Sequence, residues 1–183
     1  MRVIAGKYRR TPLKTLEGTD ITRPTRDMVK EALFSTIGFV EDKTFLDLFA
    51  GSGAIGIEAL SRGARDVVFN DSNPKAVSII KENLQKVKEE RSVLNLDCRD
   101  CLRALKGRQF DFVYCDPPYA FDQQEQLFAL LHEYDLLKEK AVVICEVEKN
   151  RELAEEMSDM FLYKERKYGI NKLMYYQKKE NMK

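Results

Sequence analysis

From Thr44 to residue 148 the sequence alternates between short apolar runs and amphipathic segments, and this alternation constrains the fold more than any other feature. The apolar runs are rich in β-branched and aromatic residues, which predicts buried strands; they read TFLDLF, DVVFN, SVLNLDC, FDFVYC and AVVICEV. The segments between them carry apolar residues at helical spacing, and one begins with Asn73-Pro74, a helix cap followed by a first-turn proline. Strands that alternate with helices predict a parallel sheet covered by helices on both faces.

Both ends of the chain extend this core. Near the C-terminus, FLYKERKYGINKLMYYQ predicts two strands around a tight turn, which add an antiparallel hairpin to the sheet, and RELAEEM just before it predicts a helix. Near the N-terminus, RVIAGKYR predicts a small β-hairpin, and a helix is predicted from an N-cap at Thr25 to Gly38. We therefore expect one α/β domain over residues 1–183, with a basic hairpin extension at 1–20 and a frayed tail at 178–183.

The composition is typical of a single globular domain, because 44% of the 183 residues are hydrophobic and 33% are charged. No apolar run approaches membrane-spanning length and none near the N-terminus predicts a signal peptide, so we expect a cytoplasmic protein with no membrane partner. The cysteines, at positions 98, 101, 115 and 145, lie in or beside apolar runs, and His132 is the single histidine of the sequence. A zinc site needs about four ligands, so we expect buried, reduced cysteines and no metal.

Charge is distributed unevenly along the chain. The first 30 residues carry eight Lys or Arg and three acids, a net charge of +5, whereas the remainder has a net charge of −4. A basic arm on a mildly acidic body predicts a polyanionic partner. The alternative is a basic terminus that is merely solvated.

A glycine-rich turn, LDLFAGSGAIG, follows the first predicted strand and opens a helix. The first glycine, Gly51, permits the tight turn, and the second, Gly53, lets a ligand approach the backbone, while the helix start offers unpaired N–H groups. Asp71 ends the next strand, twenty residues after Gly51, where a carboxylate reaches the hydroxyls of an adenosine ribose. The pattern predicts an adenosine-bearing cofactor; the alternative is a glycine-rich turn without a ligand.

Two cofactor classes compete for this turn, S-adenosylmethionine (SAM) and a nicotinamide or flavin dinucleotide. Asp47 precedes the turn, where an acid suits the ammonium group of SAM and opposes a pyrophosphate, and Asp100 follows the third strand, where it could accept from the adenine amino group. Three acids at three successive strand ends favour the cationic SAM. The candidate cofactor-binding residues are Asp47, Phe49, Ala50, Gly51, Ser52, Gly53, Asp71, Ser72, Asp100 and Cys101.

The tetrapeptide Asp116-Pro117-Pro118-Tyr119 follows the fourth strand, at the same predicted sheet edge. Two successive prolines are stiff and stop both helix and strand. The Asp116 carboxylate and the Pro117 carbonyl could hold the two hydrogens of an exocyclic amine and aim its lone pair at a methyl donor, and Tyr119 could stack on the extruded base. We therefore predict a catalytic role for all four residues, with proton loss to Asp116 or water. The alternative is a strand that simply ends in a proline turn.

These motifs together resemble the RsmD family, bacterial methyltransferases of the guanine 2-amino group in small-subunit ribosomal RNA. The resemblance covers nearly the whole chain; LDLFAGSGAIGIEALSRGA is its most specific stretch, and MRVIAGKYRR, DSNPKAVSIIKENL, CRDCLRAL and KYGINKLMYY also fit. It implies a Rossmann-like class I SAM-dependent methyltransferase fold with a mostly parallel seven-stranded sheet. It also implies that RPTRDMVKEALFSTI places Thr25 near the methionine end of SAM. The sequence departs from the family at Asn70 and Asp71, where a hydrophobic residue and Glu are frequent, and at Tyr119, which is Phe in some members.

The resemblance also implies the partners. They are 16S rRNA or the assembling 30S subunit, and the protein is expected to act as a monomer. The candidate RNA-binding residues lie in the basic arm and the helix after it: Arg2, Lys7, Arg9, Arg10, Arg23, Arg26 and Lys30.

Asp-Pro-Pro-Tyr alone does not select the acceptor. Similar motifs serve methylation of the adenine 6-amino group in DNA and RNA and of glutamine amides in proteins, and an RNA-binding module without turnover is a further alternative. Glu146 and Glu148 are interpreted as rim residues of a strand end, and His132 as a structural or solvated side chain.

Overall fold

The structure, a computed structural model, describes residues 1–18 and 23–181, and for residues 23–25 it describes the backbone alone. The end of the predicted 1–20 extension, the side chains of Arg23 and Thr25, and the last two residues of the predicted tail lie outside the described residues. In chain order the elements are α1 (Arg23–Ile37), β1 (Thr44–Asp47), α2 (Ala54–Ser61), β2 (Asp66–Asn70), α3 (Pro74–Lys86), β3 (Val93–Leu94), α4 (Cys98–Ala104), β4 (Phe110–Cys115), α5 (Gln124–Glu133), β5 (Leu137–Glu148), β6 (Glu156–Met157), β7 (Met160–Tyr168) and β8 (Asn171–Lys178).

These strands form one sheet in the order β3-β2-β1-β4-β5-β8-β7-β6. The first five are parallel to one another, and β8, β7 and β6 each pair antiparallel with their neighbours. This confirms the α/β, Rossmann-like class with a C-terminal antiparallel hairpin, and the sheet has eight strands rather than seven.

The additional strand, β6, lies where RELAEEM predicted a helix, so that prediction is wrong. Contacts with neighbouring strands hold this segment: the Tyr176 hydroxyl donates to the Ala154 carbonyl at 2.8 Å, and the Leu162 N–H donates to the Glu155 carbonyl at 2.7 Å. Tertiary hydrogen bonds and the burial of Met157 therefore outweigh its local helical pattern.

The N-terminal arm is less regular than predicted. Its two limbs meet in a single isolated antiparallel bridge between Arg2 and Pro12, supported by the Val3 N–H, which donates to the Thr11 carbonyl at 3.0 Å. On the other side of the bridge the Leu13 N–H donates to the Met1 carbonyl at 2.8 Å, so the two limbs are held together without forming a regular hairpin. The following helix begins at Arg23, two residues before the predicted cap at Thr25.

The core consists of two apolar clusters, one on each face of the sheet, as the alternating pattern predicted. Residues of α1, α2 and α3 belong to one cluster, and residues of α4 and α5 to the other. The predicted cap of α3 is confirmed, because the Asn73 side chain accepts from the Lys75 N–H at 3.0 Å. The four cysteines are free and buried, as predicted. No helix within the described residues is long and apolar enough to cross a membrane.

Candidate active site

The site lies where the direction of the sheet reverses. From β1 the chain continues to β2 and β3 on one side, and then crosses to β4 on the other, so β1 and β4 are neighbours with loops that diverge. Ligands of open α/β sheets bind in the crevice at such a switch point. Phe49 after β1 and Phe121 after β4 pack edge to face with ring centroids 5.6 Å apart. The glycine turn and the Asp-Pro-Pro-Tyr segment, which we call the elbow (residues 116–119), therefore adjoin.

The three glycines of the turn have different roles. Gly51 has φ 56°, and a side chain there would meet no atom within 4 Å, so open space lies beside it. A Cβ on Gly53 would contact Ile80 at 3.3 Å, and one on Gly56 would lie 2.3 Å from the Phe69 ring. The open approach to the backbone is therefore at Gly51, whereas the sequence had predicted it at Gly53.

Asp47 ends β1 directly beneath the start of α2. It is 1% exposed, and its Oδ2 accepts from the Gly56 N–H at 3.0 Å. Its Oδ1 is buried without a hydrogen-bond partner within the described residues. Loss of hydration raises the pKa of this carboxyl to about 7, the Gly56 N–H opposes the shift, and the negative charge of Asp71 adds to it. A buried carboxylate oxygen without a donor destabilises the fold, so the unpaired Oδ1 indicates that a ligand supplies a cationic or hydrogen-bond-donating group here.

The first turn of α2 lies beside that carboxylate. Gly53 caps the helix with no side-chain hydrogen bond, and within the described residues the N–H groups of Ala54 and Ile55 have no acceptor. Unpaired N–H groups at a helix start attract anionic or polar ligand atoms.

Asp71 holds the turn together. Its Oδ2 accepts from the Gly51 N–H and its Oδ1 from the Asn73 N–H, both at 2.9 Å. Each carboxylate oxygen can accept a further hydrogen bond, so the predicted ribose contact is compatible with this structural role.

Asn70, which stood out only as a departure from the family, joins three strand ends. Its Nδ2 donates to the carbonyls of Leu48 at 3.1 Å and Leu96 at 3.0 Å, and its Oδ1 accepts from the Leu96 N–H at 3.2 Å. A buried amide at the end of a strand was the available sequence signal for this role.

Asp100, the third acid of the predicted set, lies on α4 and not on the glycine turn. Asp100 is exposed on the first turn of α4 and forms an ion pair with Arg103 at 3.1 Å. Cys101 is fully buried, its N–H donates to the Asp97 carbonyl at 2.9 Å, and its own carbonyl accepts from Leu105 at 3.1 Å. The backbone N–H and carbonyl of Cys101 are therefore already engaged, and its role as a cofactor contact stays a prediction.

The remaining predicted cofactor residues line the loops at this edge. The Ala50 N–H donates to the Asn70 carbonyl at 2.8 Å. The carbonyl of Ser52 accepts from the Asn83 Nδ2 at 2.9 Å, and that of Ser72 accepts from the Asn95 Nδ2 at 3.0 Å. These residues contribute backbone geometry, and the side chain of Ser72 is exposed.

The elbow presents two free acceptors. The Asp116 carboxylate and the Pro117 carbonyl accept no hydrogen bond from the described residues, whereas the Pro118 carbonyl accepts from the Phe121 N–H at 2.9 Å. Pro117 is buried and Asp116 is exposed at the site. The pair that was predicted to receive an amine is therefore the pair left free.

Asp116 has a strongly perturbed pKa. Loss of hydration raises it well above the usual range of a carboxyl, the negative charges of Glu146 and Asp47 raise it further, and the positive charge of Arg26 opposes them. Because Asp116 keeps contact with water, we assign more of the shift to charge repulsion than to desolvation. Neighbouring carboxylates thus make Asp116 a better proton acceptor than an ordinary aspartate.

Tyr119 is held at its hydroxyl end by a side-chain network. The hydroxyl donates to Asn171 Oδ1 at 3.3 Å, the Asn171 Nδ2 donates to Glu146 Oε1 at 2.9 Å, and the buried Tyr114 hydroxyl donates to the same carboxylate. Glu146, half-buried near the end of β5 as a rim residue would be, is thereby linked to Tyr119 through Asn171. Long-range pairing of β5 with β8 brings Glu146 close to Asn171.

The backbone end of Tyr119 is held as well. Arg151 Nη1 donates to the Tyr119 carbonyl at 3.3 Å, and its Nη2 donates to Gln124 Oε1 at 3.1 Å. The Tyr119 residue nevertheless remains 53% exposed. An exposed ring with both polar ends anchored is a preorganised stacking surface.

Lys30 does not lie on the surface, so its prediction as an RNA contact is wrong. It is 1% exposed, and its ammonium lies 3.3 Å from the buried carboxylate of Glu58 and donates to the Arg2 carbonyl at 2.5 Å. Glu58 also accepts from Arg62 Nε at 2.9 Å and from the N–H groups of Ile4 and Ala5. Lys30 thus connects α1 to α2 and to the arm.

The other predicted RNA contacts differ in availability. Lys7 pairs with Glu89 at 3.1 Å and Arg2 with Asp27 at 3.7 Å. Arg9 and Arg10, at the tip of the arm, are exposed and have no ion pair within the described residues. Arg26 lies close enough to Asp116 for its charge to favour the ionised carboxylate.

Comparison with known proteins identifies the family. The family model described as Conserved hypothetical protein 95 matches residues 1–177. Ribosomal RNA small subunit methyltransferase D of Haemophilus influenzae is 37% identical over 182 residues, which cover 97% of this chain and 93% of the relative. The protein of that name from Escherichia coli is 31% identical over 171 residues, covering 92% and 85%. The solved structure of yhhF from Escherichia coli matches with a TM-score of 0.87 at 30% identity over 99% of each chain. As its motifs predicted, the chain belongs to the RsmD family.

Proposed function

We propose that this protein is a SAM-dependent methyltransferase of the exocyclic 2-amino group of a guanine in 16S rRNA. The observation that carries the proposal is the elbow, where Asp116 and the Pro117 carbonyl are free acceptors beside the glycine turn. Membership of a family with members named as small-subunit ribosomal RNA methyltransferases supports the substrate class. We further propose that a single domain acts as a monomer in the cytoplasm, on 16S rRNA or the assembling 30S subunit.

The residues at the glycine turn fit SAM better than a dinucleotide. Asp47 Oδ1 lacks a donor that the ammonium group of SAM would supply, and the free N–H groups of Ala54 and Ile55 suit its carboxylate. Asp71 would hold the ribose hydroxyls. When bound, SAM supplies an electrophilic methyl group on a cationic sulfonium. A pyrophosphate would instead lie against the carboxylates of Asp47 and Asp71.

The protein's own contribution to the reaction is to hold the amine. The lone pair of a 2-amino group is delocalised into the purine ring and is a weak nucleophile. Hydrogen bonds from its two hydrogens to Asp116 and the Pro117 carbonyl favour a tetrahedral nitrogen with a directed lone pair. Tyr119 stacks on the extruded base and fixes its plane. The proton that the nitrogen loses afterwards passes to Asp116 or water, and the raised pKa of Asp116 favours that transfer.

Two alternative functions remain to be compared with this proposal. The elbow would also suit the adenine 6-amino group in DNA or RNA, and a non-catalytic RNA-binding module would need no free acceptors there. The resemblance to the RsmD family favours guanine over adenine, and relatives named as small-subunit ribosomal RNA methyltransferases favour RNA over DNA. The free acceptors favour an enzyme over a binding module.

Labelled SAM, offered with ribosomal RNA, 30S particles or duplex DNA and followed by nucleoside analysis, tests the proposal. We expect label in N2-methylguanosine. Asp116→Ala should reduce transfer about 100- to 1,000-fold, because it removes an acceptor that positions the amine, while SAM affinity stays within about twofold. Asp122→Ala removes an exposed acid six residues away that has no partner in the described structure and serves as the matched control. Label in N6-methyladenosine, or wild-type turnover by Asp116→Ala, would contradict the proposal.

A further inference from the structure

The turn between β7 and β8 lies beside the elbow. The Ile170 carbonyl accepts from the Lys149 N–H at 2.8 Å, and the next residue, Asn171, accepts from the Tyr119 hydroxyl. Ile170 is 69% exposed and Tyr119 is 53% exposed. An apolar side chain and the stacking ring therefore stand side by side on the open edge of the site.

Positive charge surrounds this turn. Lys149, Arg166 and Lys167 are exposed and have no ion pair within the described residues. Lys167 pairs across the hairpin with Lys172, one position from Asn171. The hairpin's buried cation behaves differently, because the Lys172 ammonium is 1% exposed and lies near two carboxylates, those of Glu152 at 3.7 Å and Glu165 at 3.5 Å. The three exposed cations are thus available to an anionic partner, and Arg166 and Lys167, consecutive in β7, project on opposite sides of the hairpin. The exposed acid Glu148 at the same turn offsets one of them.

The N-terminal arm does not supply positive charge to this place. Its tip docks on the far end of α2, where the Lys7 N–H donates to the Ser61 carbonyl at 2.9 Å. That contact lies about 10 Å along the helix from Ala54, since a helix rises about 1.5 Å per residue. Phosphates next to a base stacked on Tyr119 therefore need cations other than those at the arm's tip.

We propose that the hairpin-turn surface, formed by Lys149, Arg166, Lys167 and Ile170, binds the sugar-phosphate backbone of the RNA strand that carries the target base. The inference rests on the proposed function and adds a second RNA contact to the predicted arm. The cations contact the phosphates on either side of the extruded nucleotide, and Ile170 contacts an adjacent base or ribose. Phosphate contacts of this kind position a strand without reading its sequence.

An ordinary explanation competes with this one. β6 pairs with β7 only at Met160 and Phe161, so the rest of β7 is an open sheet edge in the described structure. Open edges often carry charged residues that prevent aggregation. Lys149 lies outside β7, in the loop after β5, and edge protection does not account for it.

The salt dependence of RNA binding separates the two explanations. We would measure the affinity of a small-subunit rRNA transcript for the full chain at several salt concentrations, with SAM affinity and melting temperature determined for every variant. Lys149→Gln/Lys167→Gln should weaken binding about twentyfold at 0.1 M salt and make the slope of log K against log salt less steep by about 1.4, because each phosphate contact contributes about 0.7. The matched control, Lys43→Gln/Lys106→Gln, removes two exposed cations before the amino ends of β1 and β4, away from the strand ends that form the site, and should leave both quantities unchanged.

Lysine-reactive footprinting of the wild-type complex provides a second measurement that requires no substitution. RNA should protect Lys149 and Lys167 and leave Lys43 and Lys106 reactive. A wild-type slope in the hairpin variant, or unprotected Lys149 and Lys167 in a complex that still transfers methyl groups, would overturn the inference and leave the proposed function standing. Failure of the wild-type protein to methylate any RNA would instead refute the proposed function.

Discussion

We predict that Asp47 makes SAM affinity depend on pH, in a direction that the surroundings of this carboxyl determine. The carboxyl is buried, one oxygen lacks a donor, and its pKa is raised to about 7. A cationic ligand binds the ionised form, so protonation of Asp47 below pH 7 competes with binding. The ammonium group of SAM, with a pKa of about 7.8, loses its charge only at higher pH. Affinity should therefore rise from pH 6 to a maximum between the two pKa values.

The size of the effect follows from these two titrations. With a pKa of about 7, Asp47 is about one-tenth ionised at pH 6 and about 70% ionised at pH 7.4, while the ligand's ammonium falls from nearly full protonation to about 70%. The product predicts binding about sixfold tighter at pH 7.4 than at pH 6. Asp47→Asn removes a charged hydrogen bond worth about 2 kcal/mol. It should weaken binding roughly thirtyfold and abolish the rise between pH 6 and 7.4.

The same carboxyl lowers the stability of the ligand-free protein. Because its pKa is raised from 3.8 to about 7 in the folded chain, the folded state holds a proton that the unfolded state has lost between those values. The free energy of unfolding therefore falls as pH rises from about 4 to about 7, by at most about 4 kcal/mol. At pH 8 without SAM, Asp47→Asn should melt above the wild type, although it binds SAM less well.

Calorimetric titration with S-adenosylhomocysteine, which keeps the ammonium group and cannot react, measures the affinities at pH 6 and 7.4, and thermal unfolding at pH 5 and 8 measures the stabilities. Asp42→Asn, at an exposed acid before β1, is the control. Equal wild-type affinities at the two pH values, together with undiminished binding by Asp47→Asn, would refute the assignment of Asp47 to the ammonium group.

Substitutions at two further sites test the elbow and the buried ion pair between α1 and α2. Tyr119→Ala should lower RNA-dependent kcat/KM about 5- to 150-fold, because about 1–3 kcal/mol of stacking is lost. Tyr119→Phe loses only the 3.3 Å hydrogen bond to Asn171 and should stay within about threefold of wild type. Equal losses in the two variants would show that the hydroxyl matters more than the ring. Glu58→Gln leaves the Lys30 ammonium buried without the Glu58 carboxylate and should lower the free energy of unfolding, measured with urea, by about 3 kcal/mol. The double variant Glu58→Gln/Lys30→Met should restore most of that loss. A double variant no more stable than the single one would argue against the pair.

The order of elements was largely predictable, because the apolar runs of a parallel sheet are continuous and caps such as Asn73 mark the helix starts. The exceptions depend on distant contacts. Nothing within RELAEEM indicates that Arg151 binds the Tyr119 carbonyl or that Tyr176 binds the Ala154 carbonyl. Those contacts engage the Ala154 carbonyl, which a helix would bond internally, and the side chain of Arg151.

The candidate site was predictable to the extent that it lies at strand ends. Asp47 ends a strand of the parallel region and Asp71 and Asp116 each follow one, and the carboxyl ends of such strands share one edge. The link from Glu146 to Tyr119 was not predicted, because it runs through Asn171, which the antiparallel hairpin brings back from 25 residues away. Lys30 was misjudged because a charge pattern does not show that a carboxylate such as Glu58 is buried opposite.

One frame supports both the arm and the cofactor turn. α2 begins at the glycine turn, and farther along it Glu58 and Ser61 bind the backbone of the arm. From α3, the buried Asn83 side chain accepts from the Lys14 N–H at 2.9 Å and donates to the carbonyls of Lys14 and Ser52, each at 2.9 Å. Deleting the arm would therefore remove partners from the helix and the amide that shape the turn, and a loss of activity could not be assigned to RNA binding alone. Substitutions at its exposed tip leave these contacts in place, so they are the changes that isolate the arm's contribution to RNA affinity.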